Sequence, residues 1–314
     1  MTLAPAPPRP GASVSGRCGG GGEPDLLDRL RAPSTPRPAV DPWLAGGLRA
    51  WLEDGVAALG AALGAATTGA GRDALPAPIV VRDGSLAARS PRLPRRVVRS
   101  EDLRASLTRV VFLLTVTEGP PHHPFEDALC AISVTERGAE LLDAVHRLGT
   151  RDRTALRAQL RVRAAAIAAQ WRPVPHAWLP RTGQRLRVPL GGGTVLLSAT
   201  ADLALGRPSD GTASVCLVRV HEERRAAAAN RGPTGARQAD RALRGLALAE
   251  TVRSGAPPWR VASYDPRSGQ LRCADVDAGL LAAGVRDVLE ALGAVQARGR
   301  GLRARGRGLR ARGD

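Results

Sequence analysis

Between residues 186 and 264 the hydrophobic pattern leaves the three-and-four spacing of helices and becomes alternating and then continuous, as strands require. Residues 185–190 and 194–204 read as the two arms of a β-hairpin joined by Gly191-Gly192-Gly193. The glycines link strand to strand, not strand to helix, so they do not form a phosphate cradle. Residues 213–220 are almost continuously apolar, which is the pattern of a strand covered on both faces. A helix over 239–254 follows, stopped by Gly255 with Pro257 and Pro258 beyond it. A further strand over 259–264 and a turn over 265–269 complete the run. A sheet covered on both faces needs helices on both sides, so the chain must supply them from elsewhere.

It has the material to do so. Residues 43–64 carry Trp43, Leu44, Leu48, Trp51, Leu52, Val56, Leu59 and Leu63 at helical spacing. A short strand is expected over 78–81. Ser100-Glu101-Asp102 reads as the start of a helix reaching about residue 117, with a strand over 109–117 as the competing reading because Val and Thr are plentiful there. Pro120 and Pro121 break the chain, 124–148 reads as one or two helices, 151–171 as a helix rich in Ala, Leu and Arg, and 278–292 as a closing helix. Residues 1–42 are too rich in Pro, Gly and Ser to bury a core, apart from one helical turn near 24–31. The organisation expected is thus a disordered 1–42, a mostly helical 43–149, an α/β (α+β) domain with a mixed sheet over 150–296, and a disordered Arg/Gly tail over 297–314.

Aromatic residues are 3% of the chain, so the core must rest on Leu, Val and Ala. All 46 basic residues are arginine, with formal net charge +17. That charge fits anion binding, and equally a GC-rich coding sequence. With no lysine, Schiff-base chemistry and a Walker A loop are excluded. Cys18, Cys130, Cys216 and Cys273 are scattered without metal-binding spacing. There is no apolar run of membrane-spanning length and no signal-peptide pattern, which makes no membrane partner and a cytoplasmic location the expectation. Of the histidines other than His221, His122-His123 reads as a surface loop, and neither His146 nor His176 has a visible partner.

Two basic features bear on nucleic acid. Arg153, Arg157 and Arg161 lie four apart on one helix face and either grip a phosphate backbone or form a solvated surface. In the tail, Ala297-Arg298-Gly299-Arg300-Gly301-Leu302-Arg303 is repeated directly. Arg298, Arg300 and Arg303 suit phosphate contacts and stacking. The alternative is a repeat expansion with no selected role.

The strongest candidate site lies in the strand region. Asp202 ends the hairpin, and alternation along the next strand places Leu217, Arg219, His221 and Glu223 on one face. This layout resembles the PD-(D/E)XK nuclease superfamily, in its exonuclease-like branch related to the RecB nuclease domain, over about residues 150–292. The resemblance implies a mixed sheet flanked by helices. One acid ends a strand, an acid-x-Lys pair lies on the next, and together they hold Mg2+ or Mn2+ and activate water. It puts Asp202 at the first acid, Arg219 at the second, His221 at the lysine, and Asp240, with Gln238, near the start of the following helix. Arg219 departs from the pattern because a guanidinium cannot ligate a metal. Beside Asp202 it is expected to occupy the cation's position. His221 ligates a metal when neutral or meets phosphate when protonated.

Three readings follow. The first is a catalytically impaired nuclease-fold protein that binds DNA or RNA. The second is an active Mg2+- or Mn2+-dependent nuclease using Asp202 with a displaced glutamate, Glu223 or Glu222. The third is a scaffold with no nucleic-acid role.

Overall fold

The computed structural model describes residues 30, 41–67, 79–82, 85–86, 100–135, 138–207, 215–221 and 233–310. The expectations for 1–29 and for Glu222, Glu223 and 311–314 lie outside them. The chain is a mixed α/β protein in which one sheet is covered by helices on both faces.

Helix α1 (Pro42–Thr67) opens the described chain, and the Asp41 carboxylate accepts the Trp43 N–H at its start. Leu48, Leu52 and Val56 are its core-facing stripe, each four residues on from the last. Trp43 and Trp51, which the spacing also put in that stripe, are 83% and 42% exposed, Trp43 at the first turn of the helix. Strands β1 (Ile79–Arg82) and β2 (Ser85–Leu86) follow. Residues 100–117 are helical throughout as α2 (Ser100–Thr117), so the strand reading of 109–117 fails. Propensity gave way to packing there: Leu103, Leu107 and Val111 repeat at helical spacing and are fully buried.

Next come α3 (Pro124–Ser133), α4 (Gly138–His146) and α5 (Thr150–Ala168). The hairpin is β3 (Arg181–Leu190) and β4 (Val195–Leu205), and β5 (Cys216–Val220) follows. Helix α6 (Pro233–Ser254) crosses over to β6 (Arg260–Asp265), which lies parallel to β5. Strand β7 (Gln270–Asp275), which the sequence reading did not pick out, pairs antiparallel with β6. Helix α7 (Ala278–Arg310) closes the chain, its helical backbone running past the expected 278–292 and into the Arg/Gly repeat. Arg, Ala and Leu there are strong helix formers and no proline interrupts them, while Gly299, Gly301, Gly306 and Gly308 weaken the segment.

Helices α2–α5 share one core with Val218, Val220 and Tyr264. Helices α1, α6 and α7 share the other with Leu186, Leu197 and Leu217. Strand β5 is therefore covered on both faces, as its continuous apolar run requires.

The sheet order is β2-β1-β4-β5-β6-β7, with β3 along the remaining edge of β4. Strand β4 is the branch point. One edge pairs with β3 from Leu190↔Val195 to Arg181↔Ala204. The other edge is shared: β1 runs parallel to it as far as Arg82↔Ser198, and β5 antiparallel from Leu203↔Val218 onward. Residues 199–202 lie in the fork between them. The core contacts change sides at the same place. Leu197, Ala199 and Ala201 pack with α1, α6 and α7, whereas Leu203 and Leu205 pack with α2–α5. Straight alternation would keep all five on one face, so β4 turns its faces over as it passes Asp202. Gly183, across from this point in β3, has φ of +63°, a conformation that costs glycine little and other residues more.

The hairpin turn makes a second demand of this kind. Gly191 has φ of +56°, its N–H donates to the Glu53 carboxylate of α1 at 2.6 Å, and a Cβ on it would lie 2.4 Å from Val56 Cγ1. Gly191→Ala should therefore lose about 1–2 kcal/mol from backbone strain alone, with the clash added. Gly192→Asn, also at positive φ but with open space around it, should lose less than about 1 kcal/mol. Urea unfolding of the two variants checks this, and equal losses would refute the close-approach argument.

Candidate functional site

Asp202 is 2% exposed and sits in the fork, where a buried carboxylate must be satisfied on both oxygens. Because β4 and β5 part at Leu203↔Val218, the Val220 N–H has no strand partner in β4. Asp202 Oδ2 accepts it at 2.6 Å, so the side chain continues the ladder that the backbone abandons. Oδ1 is ion-paired with the Arg109 guanidinium of α2, whose side chain is 39% exposed. The cation at Asp202 thus comes from a helix across the core and not, as the sequence reading expected, from Arg219 of β5.

Arg219 is half-buried and nevertheless belongs to the site. Burial, then the charges of Arg219 and Arg185, hold the Arg109 guanidinium below its ordinary pKa. Arg185 is exposed on β3, in register with Thr200 of β4. The carboxylate of Asp202 is thus paired with Arg109 of α2, on which the charges of Arg185 of β3 and Arg219 of β5 act in turn.

His221 stands at the end of β5. Its N–H donates to the Tyr264 carbonyl of β6 at 3.0 Å, continuing the parallel pairing by one residue. Its Nδ1 lies 2.9 Å from the Ser263 hydroxyl, which fixes the ring and leaves Nε2 as the other polar atom of the imidazole. His221 and Arg109 line one cleft of about 160 Å3, together with Ser106, Thr108, Val220 and Pro266. Arg163 of α5 closes down on the same region by donating to the carbonyls of Pro266 and Arg267 in the β6–β7 turn. Asp265 holds that turn by accepting from the Arg267 N–H and the Ser268 hydroxyl.

The structure therefore brings Asp202, Arg219 and His221 to one place, and it adds Arg109 and Ser263. Ser263 had a signal in the sequence as a polar residue inside the strand 259–264. Arg109 had none stronger than its position at the head of the apolar run 110–114. Asp240 is on α6, half-buried, in the helical layer that faces α2 from across the sheet. Among the described residues no hydrogen bond or ion pair joins it to Asp202.

The Arg153, Arg157 and Arg161 face is divided among structural contacts. Arg153 donates to the carbonyls of Val145 and His146 at the end of α4. Arg157 pairs with Glu126 at 2.7 Å and lies 5.1 Å from the Phe125 ring centre. Arg161 is exposed and lines a second cleft of about 390 Å3 with His123, Phe125 and Glu126. Arg298, Arg300 and Arg303 lie on the extension of α7. His123 caps α3 through its N–H to the Asp127 carboxylate.

Of the ligands expected for the Mg2+ or Mn2+ that the resemblance implies, Asp202 is described and Glu222 and Glu223 lie outside the described residues. Asp202 Oδ2 accepts from Val220, Oδ1 is paired with Arg109, and no group of three His, Cys, Asp or Glu gathers among the described residues. Among the described residues, also, no helix is long and apolar enough to cross a membrane.

No protein-family model matches the chain, and no curated protein is similar to it.

Proposed function

We propose that the protein is a PD-(D/E)XK-like nuclease-fold protein that binds nucleic acid through the fork around Asp202 and does not cleave it. The observation that carries this reading is the guanidinium of Arg109 on Asp202, at the place where the resemblance puts a divalent metal. Three further features support it. A hairpin, a crossover helix and a parallel strand follow one another in the expected order. The strands carrying Asp202 and Arg219–His221 separate at those residues. Finally, the cleft beside them is walled by Arg109 and His221, and the charge of Arg219 acts on Arg109.

The chemistry follows from charge. A phosphodiester anion meets guanidinium and imidazole donors there, which hold it by charge-assisted hydrogen bonds. Hydrolysis would need an activated water and a cation free to stabilise the departing oxygen, and Arg109 is committed to Asp202. The protein would hold either DNA or RNA through such contacts.

The test is binding of a fluorescent 20-nucleotide DNA or RNA by the full chain across a salt series. Affinity should fall linearly with the logarithm of salt concentration, and Arg219→Ala should weaken binding and reduce the slope by about 1. Binding that ignores salt, or an Arg219→Ala variant equal to wild type, would sink the reading. Degradation of either substrate with Mg2+ or Mn2+ that disappears in Asp202→Ala would favour the active nuclease instead.

A further inference from the structure

We infer that Arg109 is a built-in substitute for the divalent cation, so that the fork is electrostatically complete without metal and a metal site is latent beneath the arginine. The inference concerns the same residues as the proposed function, yet it does not depend on nucleic acid being bound.

The argument starts from the cost of Asp202. A carboxylate buried to 2% exposure must be neutralised or hydrogen-bonded. In a metal-dependent site the ion does this, and the carboxylate is left with little reason to exist when the ion is absent. Here the carboxylate has a reason independent of any ion. Oδ2 completes the ladder at Val220, and Oδ1 is met by a permanently charged group anchored on a rigid helix. Arg109 reaches the fork from α2, whose Val111 and Phe112 share one buried core with Leu203 and Val218. Its guanidinium also lines the cleft, which is where a hydrated ion would enter. A dication approaching Asp202 therefore meets a ligand already occupied by Arg109, whose guanidinium also feels the charges of Arg219 and Arg185.

Two consequences separate this arrangement from a metal site that merely lacks one acid. Restoring that acid with Arg219→Glu should not create metal affinity while Arg109 remains, because the new carboxylate acquires the same guanidinium. Removing Arg109 at the same time should free two carboxylates with no cation between them.

The experiment is thermal unfolding of the full chain in Mn2+ against EDTA. Wild type and Arg219→Glu should unfold at the same temperature in both. Arg109→Ala with Arg219→Glu should rise by about 3–6 °C when Mn2+ exceeds its Kd about tenfold. Arg109→Gln with Arg219→Glu, which keeps the volume and loses the charge, is the second version should the alanine variant not fold. A Mn2+-dependent rise in wild type that vanishes in Asp202→Asn overturns the inference. So does a folded double variant that does not respond to Mn2+. Failure of nucleic-acid binding would remove the proposed function and leave these outcomes unchanged.

Discussion

Asp202→Ala should destabilise the protein by about 2–3 kcal/mol, a large effect for a side chain this small. Breaking a buried pair by removing one partner costs about 3–5 kcal/mol. Arg109 is 39% exposed and can turn part of its guanidinium to water, which lowers that figure. The remainder comes from the Val220 N–H, left without its acceptor at a point where β4 supplies no carbonyl in exchange. Asp202→Asn separates the two contributions. The amide oxygen still accepts from Val220, so only the charge is lost, and the cost should fall to about half. Urea unfolding with a constant slope on denaturant measures both. A loss below about 0.5 kcal/mol for Asp202→Ala would show that the fork is held by its backbone and that the carboxylate is dispensable to the fold.

Trp171→Ala should cost still more, about 4 kcal/mol, or roughly 10 °C in unfolding temperature. The chain has eight Trp, Tyr and Phe residues, and three of them meet in one place. Trp171 lies edge-on to Phe112 of α2 at 5.0 Å between ring centres and to Tyr264 of β6 at 5.3 Å, while Phe112 and Tyr264 are also 5.3 Å apart. All three are fully buried, and the Tyr264 hydroxyl donates to Gln170 Oε1. Such ring pairs contribute about 0.5–1.5 kcal/mol beyond their burial. The cluster also supports the site. Phe112 follows Arg109 on α2 by one turn, and the Tyr264 carbonyl is the acceptor for the His221 N–H. Trp171→Phe, which leaves a smaller cavity and keeps one ring contact, should cost about half as much. Thermal scans of the two variants check the ordering, and an Ala variant no worse than Phe would refute the three-ring argument.

Much of the fold was written in local patterns. The Gly191-Gly192-Gly193 turn joins the hairpin because the left-handed φ values it needs are open to glycine, and the arms on either side alternate as strands do. The apolar run through β5 meant burial on both faces, and two separate cores now meet there. Helix α6 ends at Ser254, where Gly255 takes φ of +80° before two prolines. Strand β7 has a weak pattern because Leu271 is its one large apolar residue, set among Gln270, Arg272 and Asp275.

For the site, alternation within one strand was enough to group Arg219 with His221, and Asp202 could be placed at the end of the hairpin. Periodicity is a property of neighbours along the chain, so it also identified the helix that contains Arg109. It carried no information about the partner that Arg109 would find 93 residues away. That pairing depends on β4 giving its free edge to β1 at one end and β5 at the other, on the faces of the strand turning over at Asp202, and on α2 lying against that turn. Each is a relation between segments distant in sequence, set by how two cores close on one sheet. Local patterning named the acid and the strand ends; packing chose the cation that sits on the acid.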